Sequence, residues 1–227
     1  IFAKFDVIHV HTSHALLRSL LACAGLNKKL VYTRHNELVH QTLKWRFTYF
    51  ISRFLLKKMI FVSDNAKAKY LSTYPKFVNK THTILNGVLP MASFKSDSTV
   101  FRLSHVGRFV PLKAQHVLIK AVAKLPDELQ RKVSLSFFGT GELMQYNQDL
   151  AAKKIPDVHC QFHGFVTERD EIYQITDALV VTSETEGLSL AILEALASST
   201  PVIASNVGGN PELVTHLNNG MLHSFYR

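Results

Sequence analysis

Cysteine is scarce in this sequence: Cys23 and Cys160 are the only two, and they stand far apart. That pattern excludes a disulfide framework and fits a reducing compartment. Long apolar runs are missing too. No stretch approaches the roughly 20 uninterrupted apolar residues of a membrane span. No Asp-x-Asp metal motif occurs anywhere. The first residue is Ile1 rather than Met, and no basic-then-apolar leader follows it, which points to a fragment or a trimmed chain.

Acidic residues are rare in the first part. Residues 1–95 hold 15 Lys and Arg against only Asp6, Glu37 and Asp64, a balance of +12, while the remainder carries −3. Such asymmetry suggests an anionic partner for the first part, or a basic face that is merely solvated. With 227 residues, 47% of them hydrophobic and 19% charged, the chain suits two modest folded domains.

What the sequence has is a rhythm. Short apolar runs predict strands at Asp6–His11, Leu30–Arg34, Lys58–Val62 and Thr83–Asn86, then at Phe101–Val106, Lys132–Phe138, Val158–Phe162, Ala178–Val181 and Val202–Ala204. Helical patterns fill most gaps, as at Ala15–Gly25, Gln115–Leu125, Leu143–Lys153 and Leu188–Ser198. Alternation of this kind implies an α/β fold with parallel sheets. The segment Val88–Thr99 breaks the rhythm with Pro and Ser, where the charge bias changes sign. We place domains at 1–90 and 100–227, with 91–99 as linker. The stretches from Asp6 and from Asp177 both read acid, strand, Thr-Ser turn, helix, strand, with an offset of 25. That repeat suggests two Rossmann-like domains, although βαβ units resemble one another in general.

Chemistry concentrates at "TSETEGLSLAILEALASSTPVIASNVGGNPELV", residues 182–214. A strand ends near Thr182, and a helix is expected to start near Leu188. The amides of Gly187, Leu188 and Ser189 would then form a phosphate-attracting helix N-terminus. Glu186 and Glu194 stand eight residues apart, roughly 12 Å along a helix.

Those two glutamates, with "HVGRFVPLKAQHVLIKAVAKL", "FFGTGEL", "FHGFV" and "VGGNPELV" in order, resemble the retaining glycosyltransferases of family four, the glycosyl transferases group 1. The resemblance covers nearly the whole chain and is strongest over 101–220. It implies a GT-B fold, two Rossmann-like domains with parallel sheets facing a cleft. A complete member usually has a further βα segment with a Gly-rich loop before the present start, and terminal helices after the present end. The N-terminal domain is therefore expected to be truncated.

The resemblance also implies site residues. Gly107 lets the backbone approach a ligand, and Arg108 and Lys113 resemble the diphosphate-binding pair. Gly139 resembles a donor-side loop, Val166 the base-binding segment, and Glu194 the ribose binder. Glu186 is placed against the donor sugar, with His35 beside it as an active-site histidine. The activity implied is metal-independent transfer of a sugar from a nucleoside diphosphate sugar, UDP by default, to a glycan or lipid-linked acceptor. A cell-surface polysaccharide or lipopolysaccharide product fits, with no separate cofactor. The alternative is a non-catalytic sugar-nucleotide-binding remnant.

His9, His11 and His14 invite a metal reading, but no acidic or cysteine ligand accompanies them, so no metal site is assigned. "LKWRFTYFISRFLLKKM" reads as a basic amphipathic helix, either lying on a membrane or packing a core. The expected place is the cytoplasm, with an acidic inner-membrane surface as a candidate partner. Nucleic acid is not expected, since scattered Lys and aromatic residues form no recognition motif.

Overall fold

The computed structural model describes residues 4–23, 29–91 and 95–225. The chain forms two compact units: Ile1–Asn86 with Glu186–Leu188, and Gly87–Thr185 with Ser189–Arg227.

The first unit runs β1 (Val7–Val10), α1 (Ser13–Ala22), β2 (Lys29–Arg34), α2 (Leu43–Leu55), β3 (Leu56–Phe61), α3 (Asp64–Thr73) and β4 (Thr81–Thr83). All neighbouring strands are parallel, in the order β1-β2-β3-β4. Hydroxyls start two of the helices. Thr12 Oγ1 accepts from the Ala15 amide at 3.1 Å, and Ser63 Oγ accepts from Ala66 at 3.2 Å. Each satisfies an amide that the first helical turn leaves open. Leu16, Leu30, Tyr49, Met59, Phe61 and Tyr70 are fully buried among the strands and helices. Arg34 is buried with them. Its Nη1 donates to Tyr49 Oη at 2.8 Å, its Nη2 donates to the Leu38 carbonyl, and its guanidinium lies 5.0 Å from the Tyr70 ring centre.

The second unit continues with β5 (Phe101–Val106), α4 (Gln115–Val122), α5 (Asp127–Gln130), β6 (Val133–Phe138), α6 (Met144–Lys154) and β7 (His159–Gly164). Then follow α7 (Arg169–Gln174), β8 (Ala178–Val181), α8 (Leu190–Ala197), β9 (Val202–Ser205), α9 (Asn210–Leu213) and β10 (Gly220–His223). Its six strands are parallel in the order β10-β9-β8-β5-β6-β7. Successive residues of one strand feed different cores. Val180 packs in one cluster with Phe137, while Leu179 and Val181 pack in another with Phe138. Burial on both faces favours continuous apolar strands, as in β8, where Ala178–Val181 are all buried. Arg102 and Asp177 tie the starts of the two middle strands, β5 and β8, Nη2 to Oδ1 at 2.7 Å, and that pairing holds the Asp177 carboxyl below its ordinary range.

Several expectations need correction. The last strand of the first unit is Thr81–Thr83 rather than Thr83–Asn86, because Met59–Phe61 pair with 81–83. The basic amphipathic helix ends at Leu55. Leu56 turns extended (ψ 129°) to open β3, so Lys57 and Lys58 stand on a strand. Gly25, the expected end of the first helix, lies outside the described residues. Of the 91–99 segment, 92–94 also lie outside them. Lys95 Nζ donates to the Tyr173 carbonyl at 2.8 Å and the Ser96 amide to the Gln174 carbonyl at 3.1 Å, fastening this segment to the second unit.

Candidate functional site

In the second unit β5 is flanked by β6 on one side and β8 on the other. The chain order reverses there, and such a switch point opens a crevice at the carboxyl ends of the strands. The loops after β5, β6 and β8 meet at that end.

Gly107 closes β5, and its amide donates to the Phe138 carbonyl at 2.9 Å. The Lys113 side chain lies along it: Cδ and Cε are each 3.6 Å from where a Gly107 Cβ would stand. Arg108 is exposed, and the loop carrying it is pinned from behind. Gln115 is buried, and its Nε2 donates to the Arg108 carbonyl at 2.9 Å. The Phe109 amide donates to the Thr140 carbonyl at 2.9 Å, interlocking this loop with the one after β6. There Gly139 adopts φ +130°, and a Cβ would fall 2.2 Å from the Gly107 carbonyl oxygen. Only glycine fits that crossing of two backbones.

The segment after β8 closes the third side. Thr182 Oγ1 donates within reach of two carbonyls, Lys113 at 3.0 Å and Ala114 at 2.9 Å. The Glu184 amide donates to the Leu112 carbonyl at 2.9 Å. Beneath them sits His105, completely buried, with Nε2 3.3 Å from Thr182 Oγ1. Burial, reinforced by the Lys113 charge, pushes its pKa down to about 3, so the ring stays neutral. The structure thus brings Gly107, Lys113 and Gly139 into contact or near contact, with Arg108 on the same loop.

Val166 and Glu194 are joined through a residue that the motifs did not single out. Arg169 Nη1 donates to the Val166 carbonyl at 3.1 Å, and its Nε lies 3.5 Å from Glu194 Oε1. Tyr173 Oη donates to Glu194 Oε2 at 3.1 Å and lies 3.0 Å from the Ala191 carbonyl. Burial and the Glu194 charge both push the Tyr173 phenol upward, keeping it a donor. The Glu194 carboxylate is therefore oriented from two sides, with the remaining lone pairs available to a hydroxyl-bearing ligand.

The expected helix start is displaced. Ser189 is extended (ψ 116°) and caps α8, which begins at Leu190. Gly187 and Leu188 precede the helix, so their amides are not its N-terminal turn, and the helical spacing between Glu186 and Glu194 does not hold. Gly187 instead packs on the first unit's own backbone, where a Cβ would stand 2.1 Å from the His35 carbonyl oxygen. Leu188 accepts from Asn86 Nδ2 at 3.4 Å. Glu186 is half-buried. His35 lies just past β2, and its Nε2 is 2.9 Å from His11 Nδ1. The His9 ring lies 4.2 Å from that of His11, and its Nε2 is 2.7 Å from Thr33 Oγ1. His14 turns away to meet Trp45 edge-on. Among the described residues no group of three or more His, Cys, Asp or Glu is placed to hold a metal ion.

Sequence reasoning missed His105, Gln115, Arg169 and Tyr173. His105 stands two residues before Gly107, and Gln115 two after Lys113, so proximity to the motif was the available signal. Nothing local marks Arg169 or Tyr173. Their role follows from α7 lying beside α8.

A family profile described as "Glycosyl transferases group 1" matches residues 91–226, and one described as "Glycosyltransferase Family 4" matches residues 1–90. The chain is similar to the putative glycosyltransferase EpsD of Bacillus subtilis (strain 168), 27% identical over 96% of this chain and 63% of the relative. It is similar also to N-acetyl-alpha-D-glucosaminyl L-malate synthase of Bacillus anthracis, 26% identical over 96% of this chain and 61% of the relative. The fold matches Anabaena Alr3699/HepE, crystallised in complex with UDP-glucose, at a TM-score of 0.85 and 24% identity, covering 98% of this chain and 65% of that one. The chain spans less than two thirds of the length of these relatives.

Proposed function

The chain belongs to the glycosyl transferases group 1 family, and from that premise we propose that it moves a sugar from a UDP-sugar to a glycan or lipid-linked acceptor with retention of anomeric configuration. The observation that carries this reading is the interlocked crevice at β5, where Gly107, Arg108, Lys113 and Gly139 crowd one strand end. A departing diphosphate gathers negative charge, and fixed cations on a pinned loop stabilise it without reorganising. Arg108 and Lys113 take that role, so the reaction needs no divalent metal. Glu194, held by Arg169 and Tyr173, clasps the ribose hydroxyls. The Val166 segment meets the base. Glu186 and His35 serve the transferred sugar, and the leaving phosphate helps to deprotonate the acceptor on the same face.

The choice of UDP draws on HepE, a protein of the same fold, held with UDP and UDP-glucose. The product is assigned to cell-surface polysaccharide or lipopolysaccharide, made in the cytoplasm at the inner face of a membrane. No described helix is long and apolar enough to cross that membrane.

Thermal unfolding with UDP, GDP and ADP tests the donor site. Ligand at 100 times its Kd stabilises by about 2.7 kcal/mol. UDP should raise the midpoint most, and Arg108→Ala or Lys113→Ala should abolish the rise. An undiminished rise in both variants would refute the diphosphate assignment. Release of sugar from the donor, by transfer or slow hydrolysis, separates a transferase from a protein that only binds the nucleotide.

A further inference from the structure

Helix α2 divides its side chains three ways. Trp45, Thr48, Tyr49 and Ser52 are buried. Leu43, Phe47, Phe50 and Phe54 are exposed, the three phenylalanines at 65%, 57% and 63%. At about 100° per residue these four fall within an arc of roughly 60°, opposite the buried set. Phe50 and Phe54 pack edge to face with ring centres 5.6 Å apart. Lys44 flanks the stripe on one side, and Arg46 and Arg53 on the other. From residue 38 to residue 63 the sequence has five bases and no acid.

A cleft of about 540 Å³ opens beside this stripe, lined by Arg46, Phe50 and Arg53 of α2 and by Tyr74, Lys76 and Phe77. Its far wall is fixed to α2 by Lys80, whose Nζ donates to the carbonyls of Arg53 and Leu56, each at 2.6 Å. Burial, then the charges of Lys57 and Arg53, hold the Lys80 pKa below its ordinary value. Tyr49 also lines the cleft, and its hydroxyl accepts from the buried Arg34.

We propose that this face docks on an anionic lipid bilayer, the Leu43–Phe47–Phe50–Phe54 stripe entering the interface while Arg46, Arg53 and Lys76 receive a lipid phosphate in the adjoining cleft. Charge decides the occupant. A second copy would bring the same acid-free basic face against this one and be repelled. A nucleic acid would satisfy the bases but leave the four apolar side chains in water. An anionic bilayer offers phosphate at the depth of the bases and hydrocarbon just beneath it, the arrangement an interfacial helix needs. The proposal extends the membrane location of the sugar-transfer reading, yet none of these residues belongs to the crevice at β5, so donor binding and docking fail separately.

Co-sedimentation of the chain with vesicles tests it, using phosphatidylcholine alone and phosphatidylcholine mixed with phosphatidylglycerol. Binding to the mixed vesicles is expected to be at least tenfold tighter and to weaken as salt rises. Phe47→Ser with Phe54→Ser should abolish it. Arg46→Gln with Lys76→Gln should erase the preference for anionic lipid. Circular dichroism melts of the variants report folding, and if the serine pair melts early, the glutamine pair, which changes only exposed charges, still decides. No sedimentation, equal binding to both vesicles, or unchanged binding by either pair would overturn the proposal. So would a lipid-free dimer in analytical ultracentrifugation that the serine pair dissolves.

Discussion

His11 Nδ1 stands 2.9 Å from His35 Nε2, so the two rings share a single proton between them. One nitrogen must donate and the other accept, and protonating both would set two N–H groups face to face. The partial burial of His35, with the neighbouring His11 and His9, holds its pKa below 6.5. A neutral His35 with a fixed tautomer can accept or donate one defined hydrogen bond to a sugar hydroxyl.

Replacing His11 by Ala should therefore raise the His35 pKa, because a neighbour that disfavours its protonation is gone. The value should remain below 6.5, since burial is the larger cause. Imidazole proton NMR across pH 4–8 reads both quantities. A midpoint that does not move would mean the pair is a contact without electrical consequence.

His105 gives acid sensitivity a definite window. Its ordinary pKa is 6.5, and in the fold it is pushed down to about 3. Unfolded chains take up the proton first, so stability present above pH 6.5 is lost as pH falls toward 3. This one group contributes a slope of at most about 1.4 kcal/mol per pH unit. His105→Gln should reduce the slope of urea-derived stability between pH 6.5 and 4 by about that amount. An identical slope in wild type and variant would show that the ring is solvated.

Gly139→Ala should be poorly tolerated. A Cβ at φ +130° would meet the Gly107 carbonyl oxygen at 2.2 Å, so one of two interlocked loops must give way. Backbone strain of this kind costs about 1–3 kcal/mol before any steric term is added. Equilibrium urea unfolding should register at least that loss, and the UDP-dependent rise in midpoint should vanish with it. A loss below about 0.5 kcal/mol, within the ordinary range for surface changes, would mean the loops are looser than the backbone geometry implies.

Most strands were legible in the sequence because both sheets are parallel, with short β-branched and apolar stretches alternating with helices. Ala178–Val181 appears where "ALVV" predicts it. Helix boundaries were less so. Leu188 fits the helical pattern, yet Ser189 takes the capping conformation and Gly187 is drawn against the His35 backbone, a contact between residues far apart in sequence. Helix α2 packs a core through Trp45 and Tyr49, as one reading of its pattern had it, while Phe47 and Phe54 remain outside. Of the crevice, "GRFVPLK" stood out through its resemblance to the family motif, whereas the Arg169–Glu194 clasp needed two helices to be laid side by side.

The setting of Arg34 has one more consequence. Its partners are three tyrosines, Tyr32, Tyr49 and Tyr70, and a carbonyl, and the Tyr70 phenol is pushed far above its ordinary pKa. Guanidinium groups in general stay charged in proteins, and the phenol beside this one keeps its proton. The heart of the first unit therefore carries a constant positive source, to which every anion arriving at its surface is exposed whatever the acidity of the surroundings.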